Sequence, residues 1–279
     1  ILHIWTSWLK QRRYWIPTIA FIPVLYVMGW LIAQPLRLIF LKLSNQDLSL
    51  IGTIISFILF ALLLPSWIQI RWGKLESRPL LHLSRPSKLI ALGMFFRGLL
   101  IASTLLLLLL LPAHFCSWLS WVDELTSRAI FHSMILGLGV GIAEELIFRG
   151  WLLVELNQIC GLWRGAFAQA LIFSLVHIRF DQGFFPMVGL LIGLFLLGLA
   201  LALRVNLDEG SLWGCVGLHG GLVGGWAVLN NGLIQFSSDI PAWLFGFGEM
   251  DSNPLGGFLA IFFLFGLIFC QRKAFAIAG

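Results

Sequence analysis

The chain has 279 residues, of which 59% are hydrophobic and only 11% charged, and it carries a net charge of +5. That balance excludes a water-soluble globular domain of this size and marks a multi-pass membrane protein, with membrane lipid as its surroundings. The positive charge does not point to nucleic acid, because the basic residues fall between long apolar runs, where membrane orientation accounts for them.

A hydrocarbon core takes roughly 20 apolar residues to cross. The runs read as helices at about 14–34, 48–70, 89–112, 129–154, 163–178, 184–203, 211–229 and 254–270. The expected fold class is all-α, a polytopic membrane protein with about eight transmembrane helices, organised as a single transmembrane domain over 1–279. The first run follows Lys10, Arg12 and Arg13, is too long for a signal-peptide core and lacks a small-residue cleavage site, so it reads as a retained helix. Loop 71–88, basic and holding Pro79 and Pro86, reads as a topology determinant on the cytoplasmic surface. Arg97, inside the third run, is expected to snorkel or to pair with a carboxylate in a structural role. The segment Ala113–Arg128, with Trp118, Trp121, Asp123 and Glu124, reads as an amphipathic external connection whose tryptophans lie at the interface.

Runs four to seven collect Gly137, Gly139, Gly141, Gly189, Gly193, Gly198, Gly214, Gly217, Gly220, Gly221, Gly224 and Gly225. Small residues let helices approach closely in lipid, so the back half should be the tightly packed bundle with its polar residues internal. With a cytoplasmic N-terminus, the inside segments hold Lys10, Arg12, Arg13, Arg71, Lys74, Arg78, Arg85, Lys88, Arg164, Arg204, Arg272 and Lys273. The outside segments hold only Arg37, Lys42, Arg128 and Arg179, and the loop with Asp239, Glu249 and Asp251 has no Lys or Arg. Both termini are thereby expected in the cytoplasm of a bacterial inner membrane or its equivalent. Cys116, Cys160, Cys215 and Cys270 show no CxxC spacing and read as small packing residues.

Two adjacent carboxylates, Glu144 and Glu145, stand in the middle of the fourth run, with Arg149 behind them. Each such charge near a bilayer centre costs about 2.5 to 3.5 kcal/mol, so it is usually paired, internal and functional. Glu145 and Arg149 are four apart, in the order that favours an ion pair on one helical face. Glu144 points roughly 100° away and is free to face another neighbour. His177 closes the fifth run and His219 lies in the Gly-rich seventh. At 1.5 Å per residue from their cytoplasmic ends, Glu144 lies roughly 18 Å deep, His177 roughly 21 Å and His219 roughly 12 Å, so all three can meet at one level.

The run Glu144-Glu145-x-x-x-Arg149, then Phe173-x-x-x-His177, then His219 in a later helix, resembles the signature of the CAAX protease and bacteriocin-processing (Abi) family of intramembrane proteases, which includes the type II CAAX prenyl endopeptidases. The similarity spans a protease-like core at about 125–230. It implies that Glu144 activates the attacking water with His177, that Glu145 and Arg149 support the site, and that His219 helps stabilise the oxyanion. An imidazole donor aimed at a developing negative charge lowers the barrier more in a water-poor site than in bulk water. One position departs from the pattern: the family often has Asn or Asp four residues after the third-motif histidine, and here that residue is Val223, with Asn230 and Asn231 the nearest amides.

The sequence therefore reads as an intramembrane endopeptidase acting on a membrane-associated peptide or protein substrate, prenylated or not, with no cofactor expected. Two histidines and a glutamate also suit zinc, and Glu144, His177 and His219 would be its ligands. Against that, the HExxH helix of the common zincins is absent and Arg149 opposes a bound cation. Two rival readings remain at this level. A proton-coupled transporter predicts repeat-related halves, of which the sequence shows none; a non-catalytic scaffold or chaperone of the same family draws on Val223.

Overall fold

Apolar segments in lipid must satisfy their backbone polar groups internally, so long hydrophobic runs fold as helices. A computed structural model of the protein shows this for residues 15–40, 43–73, 87–178, 183–246 and 253–272, the side chain of Gln46 excepted. Lys10, Arg12, Arg13, Lys42, Lys74, Arg78, Pro79, Arg85, Pro86, Arg179, Glu249, Asp251 and Lys273, used above for orientation and for loop 71–88, lie outside the described residues.

Where the sequence reads as one domain, the coordinates fall into two compact units, Ile1–Arg78 and Pro79–Gly279. The first holds α1 (Trp15–Ala33), a short α2 (Leu36–Ile39) and α3 (Asn45–Arg71). A capping box starts α3: Asp47 N donates to Ser44 Oγ at 3.1 Å and Ser44 N donates to the Asp47 carboxylate at 2.9 Å, satisfying two otherwise orphaned donors. The helices α1 and α3 run antiparallel. Gly29 lies where a Cβ would collide with Gly52 and Ser56, and at the other end the buried Arg71 donates to Thr18 Oγ1 at 3.3 Å and lies over the Trp67 ring.

The second unit holds α4 (Lys88–Phe115), β1 (Leu119–Trp121), α5 (Ser127–Glu145), a π-helical segment (Leu146–Leu152), α6 (Leu153–Cys160), α7 (Leu162–Leu175), α8 (Phe184–Leu207), α9 (Trp213–Asn230), β2 (Ile234–Phe236), α10 (Ala242–Phe245), a 3-10 turn (Pro254–Gly256) and α11 (Phe258–Cys270). Helices thus stand at all eight predicted positions. Among the described residues, five segments are long and apolar enough to cross a membrane by length and composition: Trp15–Ile39, Asp47–Arg71, Lys88–Phe115, Ser127–Cys160 and Phe184–Leu207. Leu162–Leu175 and Phe258–Cys270 are apolar but shorter. The protein is an integral membrane protein and almost wholly helical, with one small departure in the paired strands.

The helix α9 is the centre of this unit, packed against α4 on one side and α5 on the other. Its glycines make that approach possible: a Cβ on Gly217 would strike the Phe95 carbonyl of α4, and one on Gly137 would lie 2.9 Å from the Gly224 backbone. The same holds for Gly198 against Ala170, between α8 and α7. Gly139 does not belong to this set, since a Cβ there meets no atom within 4 Å.

Between α4 and α5 the chain forms β1, which pairs antiparallel with β2 in the register Leu119↔Phe236, Ser120↔Gln235 and Trp121↔Ile234. Leu109, Leu110, Ala113, Leu119, Ile234 and Phe245 are buried together under this ribbon, and Trp118 packs on them, so of the two tryptophans placed at an interface only Trp121 is exposed. Arg97 has its side chain 60% exposed and stands 3.9 Å from the buried Asp208, which also accepts from Arg204 Nε at 2.7 Å. Of the cysteines only Cys215 is buried; Cys116 and Cys270 are exposed and Cys160 is intermediate, so the packing role applies to Cys215 alone.

Candidate active site

Glu144 and Glu145 end α5, and the chain then widens into the π-helical segment that carries Arg149. A π-helical turn of this kind inserts extra backbone into a helix and is frequent at functional sites. Here it leaves the Glu145 and Arg149 side chains on one side: Arg149 Nη1 donates to Glu145 Oε1 at 2.9 Å, both side chains being fully buried. The same Oε1 lies 2.7 Å from His219 Nδ1, contributed by α9. A carboxylate oxygen only accepts, so His219 donates from Nδ1 and turns Nε2 away from Glu145.

His177 lies in the turn that closes α7. Its Nδ1 is 2.7 Å from the Phe173 carbonyl, which likewise only accepts. Neutral His177 and His219 therefore both present Nε2 without a proton. Both aim at Glu144 Oε2, at 3.8 Å for His177 and 3.9 Å for His219. These separations are too long for direct hydrogen bonds. Glu144 Oε2 has no hydrogen-bond partner in the protein although it is shielded from solvent, while the Glu144 side chain as a whole is 26% exposed. The two adjacent carboxylates thus differ: Glu145 is locked between two donors, and Glu144 is left open in front of two imidazole lone pairs.

Phe173 organises the group from α7. Its buried ring has the Arg149 guanidinium carbon 4.3 Å from its centroid, Phe148 edge-on at 5.0 Å, and the His177 and His219 rings at 4.9 and 5.8 Å. Ser174 beside it donates to the Leu191 carbonyl at 2.7 Å and fastens α7 to α8.

Glu144, His177 and His219 open onto a cavity of about 490 Å³. Its walls are apolar, with Leu105, Leu109, Val140, Leu194, Leu222 and Val223 among them; Asn230 and Asn231 line it about three turns beyond His219 at the end of α9, and Asn253 lines it as well. Val223 lines this cavity, so the position where the resembled pattern has Asn or Asp presents a hydrocarbon side chain. Among the described residues no group of three His, Cys, Asp or Glu side chains is arranged to hold a metal ion.

All five residues singled out from the sequence are brought together: Glu144, Glu145, Arg149, His177 and His219. Sequence reasoning overlooked three others. Phe173 stood in the motif only as a spacing marker. Gln169, one turn before it on the same face of α7, is fully buried, and Glu155 on α6 is 1% exposed. The four-residue spacing that puts Gln169 on one helical face with Phe173 and His177 was the signal for the second of these.

Residues 126–224 match the family model for type II CAAX prenyl endopeptidase Rce1-like proteins, in agreement with the resemblance drawn from the motifs. The match runs from the residue that caps α5 to Gly224 in α9 and so contains every residue of the site. Residues 3–76 match a domain of unknown function, DUF8676. No curated protein and no solved structure shows significant similarity to the chain.

Proposed function

We propose that the protein is an intramembrane endopeptidase that hydrolyses a peptide bond of a membrane-associated or prenylated substrate with a water activated by glutamate and histidine. The observation that carries this reading is the placing of Glu144 Oε2 before the unprotonated Nε2 atoms of His177 and His219, at one end of an apolar cavity. A water molecule suits this point, its two protons bonding to Glu144 and His177. Glu144 takes a proton as the oxygen attacks the scissile carbonyl carbon, and the carboxyl so formed passes it, through His177, to the departing amine. His219, held by Glu145 and indirectly by Arg149, takes up a proton at Nε2 from solvent before the hydrolysis, with Glu145 balancing the charge, and in that form donates to the oxyanion; it keeps this proton at the end of the cycle. The proposed mechanism uses no metal.

The protease-like core, about 125–230, lies within the second unit. The substrate is a prenylated tail, a leader peptide or a membrane-protein segment. The positive-inside balance supports cytoplasmic termini, with the β1–β2 ribbon on the opposite side. A second reading, a family member that has lost catalysis and acts as a scaffold, is favoured by Val223, which removes one donor from the expected oxyanion site. Comparing the proteomes of membranes holding wild-type protein and Glu144→Ala separates the two. Uncut substrates accumulating in the variant support hydrolysis; identical proteomes, together with no cleavage by purified protein, support the scaffold.

A further inference from the structure

Behind the site, and outside the cavity lining, is a second polar feature that the proposed reaction does not use. The helices α6 and α7 fold back on each other at Gly161. Near that turn a Cβ on Gly165 would collide with the Asn157 side chain, and two turns along α7 the Phe173 ring meets Arg149. Gln169 occupies the turn between these contacts, on the same face, four residues from each. It is fully buried, and neither its Oε1 nor its Nε2 has a hydrogen-bond partner in the protein.

The atoms on either side share this condition. Asn157 Oδ1 towards the turn, Arg149 Nε and Nη2 on the other side, and Glu145 Oε2 beyond them are all shielded from solvent without a protein partner. Buried polar groups in proteins are hydrogen-bonded in the great majority of cases, and one orphan in a seam is unusual enough to need an explanation. Here there are several, and their chemistry is complementary. The guanidinium only donates, Asn157 Oδ1 and the carboxylate only accept, and the Gln169 amide does both. A ligand that serves them all must be small, must both donate and accept, and must bond to two to four groups at once, which describes water.

We infer that ordered water molecules occupy the seam between α6 and α7, bound by Gln169 and Arg149 and extending towards Asn157. Gln169 is then a positioning residue. Through these waters it fixes the second edge of the Arg149 guanidinium, whose first edge holds Glu145, which in turn holds His219. The seam hydrates the site from behind and leaves the cavity face to the substrate.

The test uses the full chain in phosphatidylcholine nanodiscs. Hydroxyl radicals generated from water by X-rays modify buried side chains only where a bound water lies beside them. Leu153 is 3% exposed and packs with Ala166, three residues and so about one helical turn before Gln169 on α7; Leu201 and Leu203, at 0% and 2%, supply dry references of the same chemistry. Leu153 is expected to be modified several-fold faster than either reference, and Gln169→Leu should bring it down to their rate. Gln169→Leu should also lower Tm, because it removes an anchor from a hydrated network, whereas Gln169→Glu, which keeps a polar partner for Arg149, should hold it. Leu153 as slow as the references would overturn the inference, as would labelling unchanged by Gln169→Leu, or a rise in Tm with Gln169→Leu, the result for a dry orphan amide replaced by hydrocarbon. None of these readouts requires cleavage, so a failure here and a failure of the endopeptidase reading are distinguishable.

Discussion

Removing Arg149 should damage the fold, and neutralising Glu144 should not, although the two side chains are neighbours. Arg149 and Glu145 are both fully buried and joined at 2.9 Å. Arg149→Ala leaves a buried, unpaired carboxylate, and Glu145→Ala leaves a buried guanidinium together with an imidazole N–H that has lost its acceptor. Breaking a buried pair from one side costs about 3 to 5 kcal/mol. At 1.4 kcal/mol per factor of ten, the folded-to-unfolded ratio should fall by at least about a hundredfold. Glu144, by contrast, makes no direct hydrogen bond, its nearest partners being at 3.8 and 3.9 Å, and its side chain is partly exposed. Glu144→Gln keeps the shape, so its effect should stay within about 0.5 kcal/mol. The double variant Glu145→Leu/Arg149→Met should recover part of the loss, since a buried pair replaced by hydrocarbon of similar volume is often neutral, while the His219 N–H still lacks its acceptor. Thermal or detergent denaturation of the purified variants measures all four. Comparable losses in Glu144→Gln and Arg149→Ala would refute the division of labour between the two carboxylates, and so would a double variant no more stable than its parents.

At the oxyanion position, Val223→Asn should raise the cleavage rate, because a well-placed donor is worth about 2.7 to 4 kcal/mol in the transition state; peptide cleavage by purified protein reads the change, and a slower variant of unchanged Tm would count against a missing donor there. Chelators should leave cleavage intact in the same assay, and loss of activity restored by zinc would overturn the metal-free mechanism. Gly217→Ala should force α4 and α9 apart, since its Cβ would meet Phe95 and Leu99 backbone, at a cost of about 1 to 3 kcal/mol; Gly139→Ala, into open space on a helix, should be neutral or stabilising by up to about 1 kcal/mol, and the pair is compared by Tm. In a background without Cys116 and Cys270, Ser238→Cys beside the exposed end of the ribbon should react with a membrane-impermeant maleimide only from the side opposite the termini.

The helices were legible because lipid allows an apolar run little else, and charge spacing made the Glu145–Arg149 pair legible as well. What could not be read was the local geometry that gives each carboxylate its task. Nothing in Leu146–Leu152 announces a π-helical segment, because helical widening is set by the packing of Phe148 and Arg149 onto Phe173 of a different helix. Helix length was misleading in the other direction. Six glycines among the 18 residues of α9 lower its hydropathy, and α9 is absent from the five segments apolar enough to cross by themselves, yet these same glycines place it at the centre of its unit. Trp118 was assigned to an interface by composition, and a strand pairing between residues more than a hundred apart packs it, partly buried, on the core under the ribbon.

The feature least visible in the sequence was how one carboxylate serves both an arginine that follows it along the chain and a histidine on a different helix. Spacing along a helix gave Glu145 its partner at Arg149, but the second bond, to His219, spans 74 residues and depends on α5 and α9 meeting at Gly137, Gly141, Gly220 and Gly224. A side chain at any of these positions would widen the gap between backbones, and a hydrogen bond at 2.7 Å has little tolerance for that. The glycines and the charged residues are therefore one device. Close packing brings the imidazole to Glu145, Glu145 fixes which ring nitrogen carries the proton, and that choice turns an unprotonated Nε2 towards Glu144. Substituting a glycine of this seam should then impair cleavage by tilting His219, in addition to any loss of stability, and a small side chain at Gly141 separates the two effects best. Its Cβ would meet α9 at 3.1 Å, a distance the neighbours can accommodate by shifting a few tenths of an ångström.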